Sequence, residues 1–480
     1  MQFHFKNIII FILIELKNQK SMNLNRILLL TILLSLSGHI NRSLTAQNPV
    51  ADGYMGIWYN TGDKTEYGYK LSGGFATFGS RHVPTAIYSS AAGKTFFVYG
   101  GTSSPGESSL RIMISYFDHR TGKVPKPVVV FDKGGVRSPY DNASLSIDSK
   151  GFLWVFVSGW MRTRPGLVFK SVTPWSTEKF EEVMIKEMSF PQPWWFQERG
   201  FRLLFSKYRK GLDLYISESA DGLEWSGDRA LVSMGGTGYV SAVNNNKIYI
   251  AFNYHPEGDS DRRTNLYLIY SDDFGKTWKN AEGKTIQTPL RDIKNEAMVR
   301  DYLSEKKLTY IYDINFDGDG NPVILACIGG SVIPGPSEIP REWVVVSRTG
   351  GSWSFSRVCE PDNNFDAGTL IIDKDIWKVI GPSEPGPQIY GVGGEIAVWI
   401  SRDKGKTWSK QNDVTSGSRF NNSYVRRPLN AGREFYAWWA DGDAYKFSES
   451  RIYFTDKSFG KVWMLPYSMS KDSEKPIRIK

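Results

Sequence analysis

SDDFGKTW at 271–278 and SRDKGKTW at 401–408 both read Ser-x-Asp-x-Gly-x-Thr-Trp, and this repetition decides the fold. Internal self-similarity is the mark of a repeat architecture, and the segments around these two strings share one plan. Each copy is preceded by an apolar strand, a tight polar turn, a second strand, a longer loop and a third strand. The hairpins SLSIDSKGFLWVFVSG (144–159), YVSAVNNNKIYIAFN (239–253), DINFDGDGNPVILACIG (313–329) and TLIIDKDIWKVIGP (369–382) share this plan. In each, Asp, Asn, Gly or Lys sits between apolar strands, the chemistry of a two-stranded turn.

Decayed copies fill the intervals. SADGLEW ends at Trp225, SRTGGSW at Trp353 and TDKSFGKVW at Trp463, while YFDHRTGKV, ending at Val124, keeps the Asp and Gly without the Trp. One further unit, near VFKSVTPWSTEKF (168–180), has no box, so a marker falls about every 55 residues and the tally is seven. Four strands per unit is the size of a propeller blade. The expected fold is all-β, a seven-bladed β-propeller with four-stranded blades over 50–468, followed by a polar tail at 469–480. GIWYN (56–60) is expected to add a strand to the last blade and close the ring, leaving no open edge. A pair of β-sandwiches is the other architecture considered, and the regular spacing argues against it.

The composition agrees: 14% of residues are aromatic and glycine is abundant, which favours β structure over helix. Residues 1–46 are expected to be a leader. Met22–Arg26 is a short basic head, 27–36 an apolar run and Ser43–Ala46 a cleavage site before Gln47, the pattern of a secretory signal peptide with Met22 as an alternative start. Neither this run nor the earlier one at 8–14 reaches the ~20 apolar residues of a membrane span. A secreted or periplasmic protein is expected. Losing residues 1–46 removes five basic residues and one acidic one, lowering the formal net charge from +9 to +5. The remaining Lys and Arg are scattered, which suits an anionic substrate and does not suggest nucleic acid. Of the two cysteines, Cys327 lies in the apolar run VILACIGG, so a buried free thiol is expected.

In a meander the loops alternate between two faces. The inner hairpins and the boxes share one face. The second-to-third loops share the other, among them SGWMRTRPG (158–166), SKYRKG (206–211), YHPEGDSDRRTN (254–265) and GPSEPGPQIYGVGGE (381–395). The connections entering each inner strand lie there too: GSRHVP (79–84), SPYDNAS (138–144), GGTGYVS (235–241), DNNFDAG (362–368) and FNNSYVRRP (420–428). Long loops on a rigid scaffold are where binding groups sit. The box itself reads as scaffold, its Ser and Asp satisfying turn N–H groups and its Trp packing between sheets. Asp317-Gly-Asp319-Gly-Asn321 lacks the late Glu of a calcium loop and reads as a turn.

Of the histidines beyond the leader, His119 falls on the box face and is read as structural, leaving His82 and His255 on the loop face. No metal-spaced cluster, nucleophile elbow or phosphate loop is present, so neither metal nor cofactor is expected. Arg162, Arg164, Arg263, Arg426 and Arg427 could clamp a carboxylate. A clamped uronate loses its C5 proton more easily, and a His or Tyr would then serve as base and acid for β-elimination, with His255 and Tyr140, Tyr208 or Tyr239 as the pair. Hydrolysis would need paired carboxylates, with Asp141, Asp366 and Glu395 as candidates. The catalytic groups are thus expected among His255, Tyr140 and His82. Substrate binding is expected from Arg162, Arg164, Lys207, Tyr208, Tyr239, Arg263, Asn364, Asp366, Gln388, Tyr390, Glu395 and Arg426. The expected partner is an anionic oligo- or polysaccharide.

Across almost the whole chain after the leader, strings such as GYKLSGGFATFGSRHVPTAIY, YDNASLSIDSKGFLWVFVSG, RTRPG, AFNYHP, EPGPQIYGVGGE, YVRRPLN and ADGDA resemble secreted BNR-repeat propellers of polysaccharide-degrading bacteria. The resemblance implies a seven-bladed propeller. Relatives include lyases and glycosidases acting on rhamnose–glucuronate linkages, and related propellers cleave ulvan-type uronate polysaccharides. It also implies that His82, His255, Arg162, Arg164, Arg263 and Arg426 line the central face. The chain departs where relatives carry His-Asp-Asn, having Tyr140-Asp141-Asn142, and where they carry His, having Thr237, Asn363 and Asn422. These replacements bear on any histidine-held metal. A non-catalytic glycan binder and a sialidase-like hydrolase are the alternatives to a uronate lyase.

Overall fold

Alternate residues of the central strands face opposite ways, and in this protein both ways lead into core. The computed structural model describes residues 47–79 and 81–480; the leader expected over 1–46 lies outside the described residues. In the strand Lys247–Tyr254, Ile248, Ile250 and Phe252 pack into one cluster while Tyr249 and Ala251 pack into the next. A strand buried on both faces reads as a continuous apolar run, which is why these segments lack strict alternation.

Among the described residues, seven antiparallel sheets of four or more strands follow one another. Their inner strands are Ala86–Ser89, Ala143–Ile147, Ser189–Phe196, Thr237–Asn244, Leu308–Phe316, Thr369–Asp373 and Asn421–Arg426. Each sheet is a meander, as in Leu308–Phe316, Pro322–Gly329, Glu342–Thr349 and Ser352–Cys359. The tight turns and the box turns fall at one end and the longer second-to-third loops at the other, as the loop parity requires. Seven apolar clusters lie between consecutive sheets. One of them joins Phe97, Tyr99 and Met113 of the first sheet to Trp438, Ile452 and Phe454 of the seventh, so the succession closes on itself. The backbone completes the closure: Tyr88 donates to the Leu429 carbonyl and Leu429 to that of Ala86, at 2.9 and 2.8 Å.

Closure differs from the expectation in one respect. Gly56–Thr65, which contains GIWYN, does not join the seventh sheet. It pairs with Gly68–Gly74 as a hairpin and with the short strand Ser448–Ser450, forming a sheet of its own. The seventh sheet takes its extra strand from the tail instead, where Ile477–Arg478 pairs with Val462–Met464. Ser473–Glu474 pairs with Val124–Pro125, which tethers the tail to the first repeat.

The box turns behave as scaffold. Ser271 Oγ donates to Asp273 and accepts from the Gly275 N–H, both at 2.7 Å, and Asp273 also accepts from the Thr277 N–H and hydroxyl. Ser401, Asp403, Gly405 and Thr407 repeat this network. Trp278 is buried in the cluster between the third and fourth sheets. The 317–321 loop is also a turn, since Asp317 Oδ1 accepts from the N–H groups of Asp319 and Asn321. Both cysteines are free and buried. Among the described residues, no helix is long and apolar enough to cross a membrane.

Candidate functional site

The loop face narrows to a cleft of about 30 Å³, lined by Leu71, Phe78, Gly79, Arg81, His82, Tyr140, Phe190, Arg263, Phe365 and Tyr424. On the box side of His82, a second cavity of about 360 Å³ runs among the inner strands past Trp194, Asp313, Arg426 and Arg427. Arg426 bridges the two, donating Nη2 to the His82 carbonyl at 2.9 Å.

Arg81 and Arg263 define the chemistry of the cleft. Arg81 is 6% exposed, lies 4.5 Å above the Phe190 ring, and its buried Nη1 has no partner. Arg263 gives its Nε to the Ser260 carbonyl at 2.7 Å and lies over Tyr310 and Phe365 at 5.1 and 5.3 Å. Neither guanidinium has an ion-pair partner among the described residues. Asp261, whose charge reaches Arg81, is paired with Lys70 at 2.8 Å. Burial and then the neighbouring Arg263 pull Arg81 down to about 9. A buried charge without a counterion is costly, so an anion placed beside these two guanidiniums would offset part of that cost.

Tyr140 sits on the short turn Pro139–Asp141, stacked on Trp160 at 4.9 Å and edge-on to Phe190 at 5.8 Å. Burial lifts its phenol to about 12 against the opposing pull of Arg263 and Arg81. His82 lies 5.4 Å from Phe190 with both ring nitrogens unpartnered. Burial, then the charge of Arg426, lowers it to about 3. It is therefore a neutral imidazole beside a protonated phenol.

The remaining expected residues fall elsewhere. His255 is fully buried and does not line the cleft. Its Nε2 donates to Asn253 Oδ1 at 3.1 Å, because that oxygen already accepts from the Gly238 N–H. Burial, then Arg81 and Arg263, holds it neutral. Tyr239 is buried, with its hydroxyl spent on the Phe190 carbonyl at 2.6 Å. Arg164 is bidentate to buried Asp141, which Lys133 also holds at 2.9 Å, so Arg164 is not a free clamp. Arg162 is exposed with Glu187 at 3.8 Å. Lys207 pairs with Asp228, and Tyr208 is exposed. Arg427 pairs with Asp313 at 3.0 Å.

The loop residues from the sixth repeat are braces. Asn364 accepts from Arg341 and donates to Ser331; Asp366 accepts the N–H groups of Asn363 and Gly393; Gln388 and Asn421 bond each other reciprocally. Glu395 is taken by Thr415 and Ser418. Tyr390 lies edge-on to Tyr67 at 4.9 Å. Asp141, Asp366 and Glu395, the carboxylate candidates for hydrolysis, are each held by hydrogen bonds. Asn363 and Asn422, at family histidine positions, are likewise hydrogen-bonded into the loops, and Thr237 is buried. Among the described residues, no group of three His, Cys, Asp or Glu could hold a metal ion.

Sequence reading missed Arg81 and the hairpin above it. Arg81 is the residue before His82 in GSRHVP, but only the fold reveals that it has no acid partner. The hairpin Gly56–Gly74 closes over the cleft: Leu71 lines it, Lys70 reaches Asp261, and Tyr67 meets Gly335 and Tyr390.

The family model described as BNR repeat-containing family member matches residues 128–328. No curated protein matches the chain. Among solved structures it is similar to an ulvan lyase of polysaccharide lyase family PL25 bound to -[GlcA(1-4)Rha3S]-, at 14% identity and TM-score 0.66 over 86% of this chain and 95% of that one. It is similar also to a second PL25 ulvan lyase structure, at 15% identity and TM-score 0.67 over the same shares. Likeness at this identity concerns the fold. The chain thus has the β-propeller fold and, over residues 128–328, is similar to the BNR repeat-containing family.

Proposed function

We propose that this protein, whose seven sheets we read as seven blades, is a carbohydrate-active propeller that binds uronate-containing glycans through the sugar carboxylate. The observation that carries this is the pair Arg81 and Arg263, two cations without acid partners at one cleft on the loop face. The cleft is small and sets the rings of Phe78, Phe190 and Phe365 beside the two guanidiniums. The similarity to an ulvan lyase bound to -[GlcA(1-4)Rha3S]- supports the substrate class.

The chemistry proposed is β-elimination. Arg81 and Arg263 neutralise the carboxylate and stabilise the charge that develops as C5 loses its proton. Neutral His82 accepts that proton, its basicity rising as the bound carboxylate offsets the nearby guanidinium charges. Protonated Tyr140 donates to the departing glycosidic oxygen, so C4–O breaks as C4=C5 forms. Environments that push two groups apart in pKa are how acid and base roles are divided. This replaces His255 with His82 as base. Incubation with glucuronate–rhamnose oligosaccharides should produce unsaturated-uronate ultraviolet absorbance, and His82→Ala should remove it; free rhamnose without that absorbance would indicate hydrolysis instead.

A second reading, a non-catalytic binder, is favoured by one observation: His82 at about 3 and Tyr140 at about 12 both lie far from neutral. Tight binding with no turnover, unchanged by Tyr140→Phe, would select it.

A further inference from the structure

Three tyrosines from three separate segments meet at the outer end of the hairpin. Tyr67 is edge-on to Tyr390, and Tyr445 lies against Gly68 and donates its hydroxyl to the Ile389 carbonyl at 2.8 Å. Tyr445, Ile389 and Phe447 are 36%, 52% and 47% exposed. The patch lies on the loop face, because the segments 385–394 and 443–447 are second-to-third connections of the sixth and seventh sheets. It is joined to the cleft by the hairpin itself: Leu71 lines the cleft and Tyr67 is four positions back along the chain, on the order of 13 Å away at strand rise. Its one cation, Lys446, points to Asp443 at 3.8 Å.

We infer that Tyr67, Tyr390, Tyr445 and Ile389 form a platform for neutral pyranose residues of the same glycan chain whose uronate enters the Arg81–Arg263 cleft. An exposed cluster of apolar rings marks a binding surface, and phenols present an apolar face with a polar tip. A pyranose ring offers the matching surface, C–H groups on one face and hydroxyls at the rim. The absence of an unpaired cation on the patch sets it apart from the cleft and assigns it the uncharged sugars. The consequence is a binding strength that grows with chain length, because one glycan engages both places.

This inference rests on the uronate reading above, and the test separates the two. Calorimetry with glucuronate–rhamnose oligosaccharides of increasing length, from disaccharide to octasaccharide, should show affinity rising about tenfold or more with length. Tyr445→Ala and Tyr67→Ala should flatten that rise while leaving disaccharide binding unchanged, and Tyr67→Phe, which keeps the ring, should preserve it. Arg81→Gln should abolish binding at every length. Length dependence that survives both alanine variants, or is absent from the wild type, overturns the platform and leaves the cleft reading standing. No binding of any oligosaccharide by the wild type overturns both. A dimer in sedimentation that Tyr445→Ala dissolves would assign the patch to a second copy of the chain and likewise overturn the proposal.

Discussion

At the scale of single residues, the cleft is expensive to maintain. Arg81 keeps a charge out of water with no ion-pair partner among the described residues, and His82 holds two ring nitrogens without partners. His82 also ties stability to pH. It is neutral in the folded chain down to about 3, whereas an unfolded histidine takes a proton near 6.5. Between those values the unfolded chain binds more protons, so stability falls as pH falls, by up to about 1.4 kcal/mol per pH unit for each such histidine. His255 acts in the same direction. Asp362 and Asp441, raised to about 6 by burial, act oppositely: they keep protons that unfolded carboxylates release, and so offset part of the loss below about pH 6. Thermal unfolding between pH 6 and 4 should therefore slope less steeply for His82→Gln than for the wild type; identical slopes would show that His82 is not held neutral. None of this was visible in the string GSRHVP. The histidine there drew attention by its type, but the value of Arg81 depends on which acids are absent around it, a fact of three dimensions. Tyr140 stands out in the chain as a departure from the motif of similar sequences, and the structure places it on the lining of the cleft. His255 was misjudged because a loop position implies exposure, and Asn253 with Gly238 pulls the ring inside instead.

Among elements, the hairpin Gly56–Gly74 is the part that the chain did not announce. Its strands carry polar residues at one end, and its contacts are made with loops of distant repeats, so no local pattern shows where it lies. Its hold on the fourth repeat is the ion pair Lys70–Asp261, with side chains 14% and 28% exposed. Partly exposed pairs of this kind contribute on the order of 1 kcal/mol or less. Lys70→Ala should speed amide exchange across 56–74 severalfold without lowering the melting temperature by more than a few degrees. Unchanged exchange would mean that packing of Leu71 and Tyr67, not the ion pair, keeps the hairpin down. The meanders, by contrast, were legible throughout. Turns such as 245–246, with both asparagines at positive φ, and the box networks at 271–277 and 401–407 are set by local chemistry that any reader of the chain can recognise.

For the whole molecule, ring closure is shared among several weak ties. Leu429 bridges the seventh inner strand to the first, the cluster of Phe97, Trp438 and Phe454 fills the joint, and the tail adds Ile477–Arg478 to the seventh sheet and Ser473–Glu474 to the first repeat. The boxes mark the turn between third and fourth strands in six of the seven sheets, and the second sheet has none. How the ring closes could not be read from the chain, because GIWYN and the tail both looked able to supply an edge strand. Deleting residues 471–480 should remove that strand and lower the melting temperature by roughly several degrees, leaving strand content otherwise intact; a tail without structural weight would leave it unchanged.

The central claim is that the two unpaired guanidiniums await a sugar carboxylate. It is tested most directly by calorimetric titration of the wild type and Arg81→Met with a glucuronate–rhamnose oligosaccharide and with the same oligosaccharide after reduction of its carboxyl groups. The wild type should bind only the carboxylate form. Arg81→Met should bind neither, while melting at the same temperature or higher because a buried charge has been removed. Equal binding of the reduced glycan, or full binding by Arg81→Met, would contradict it.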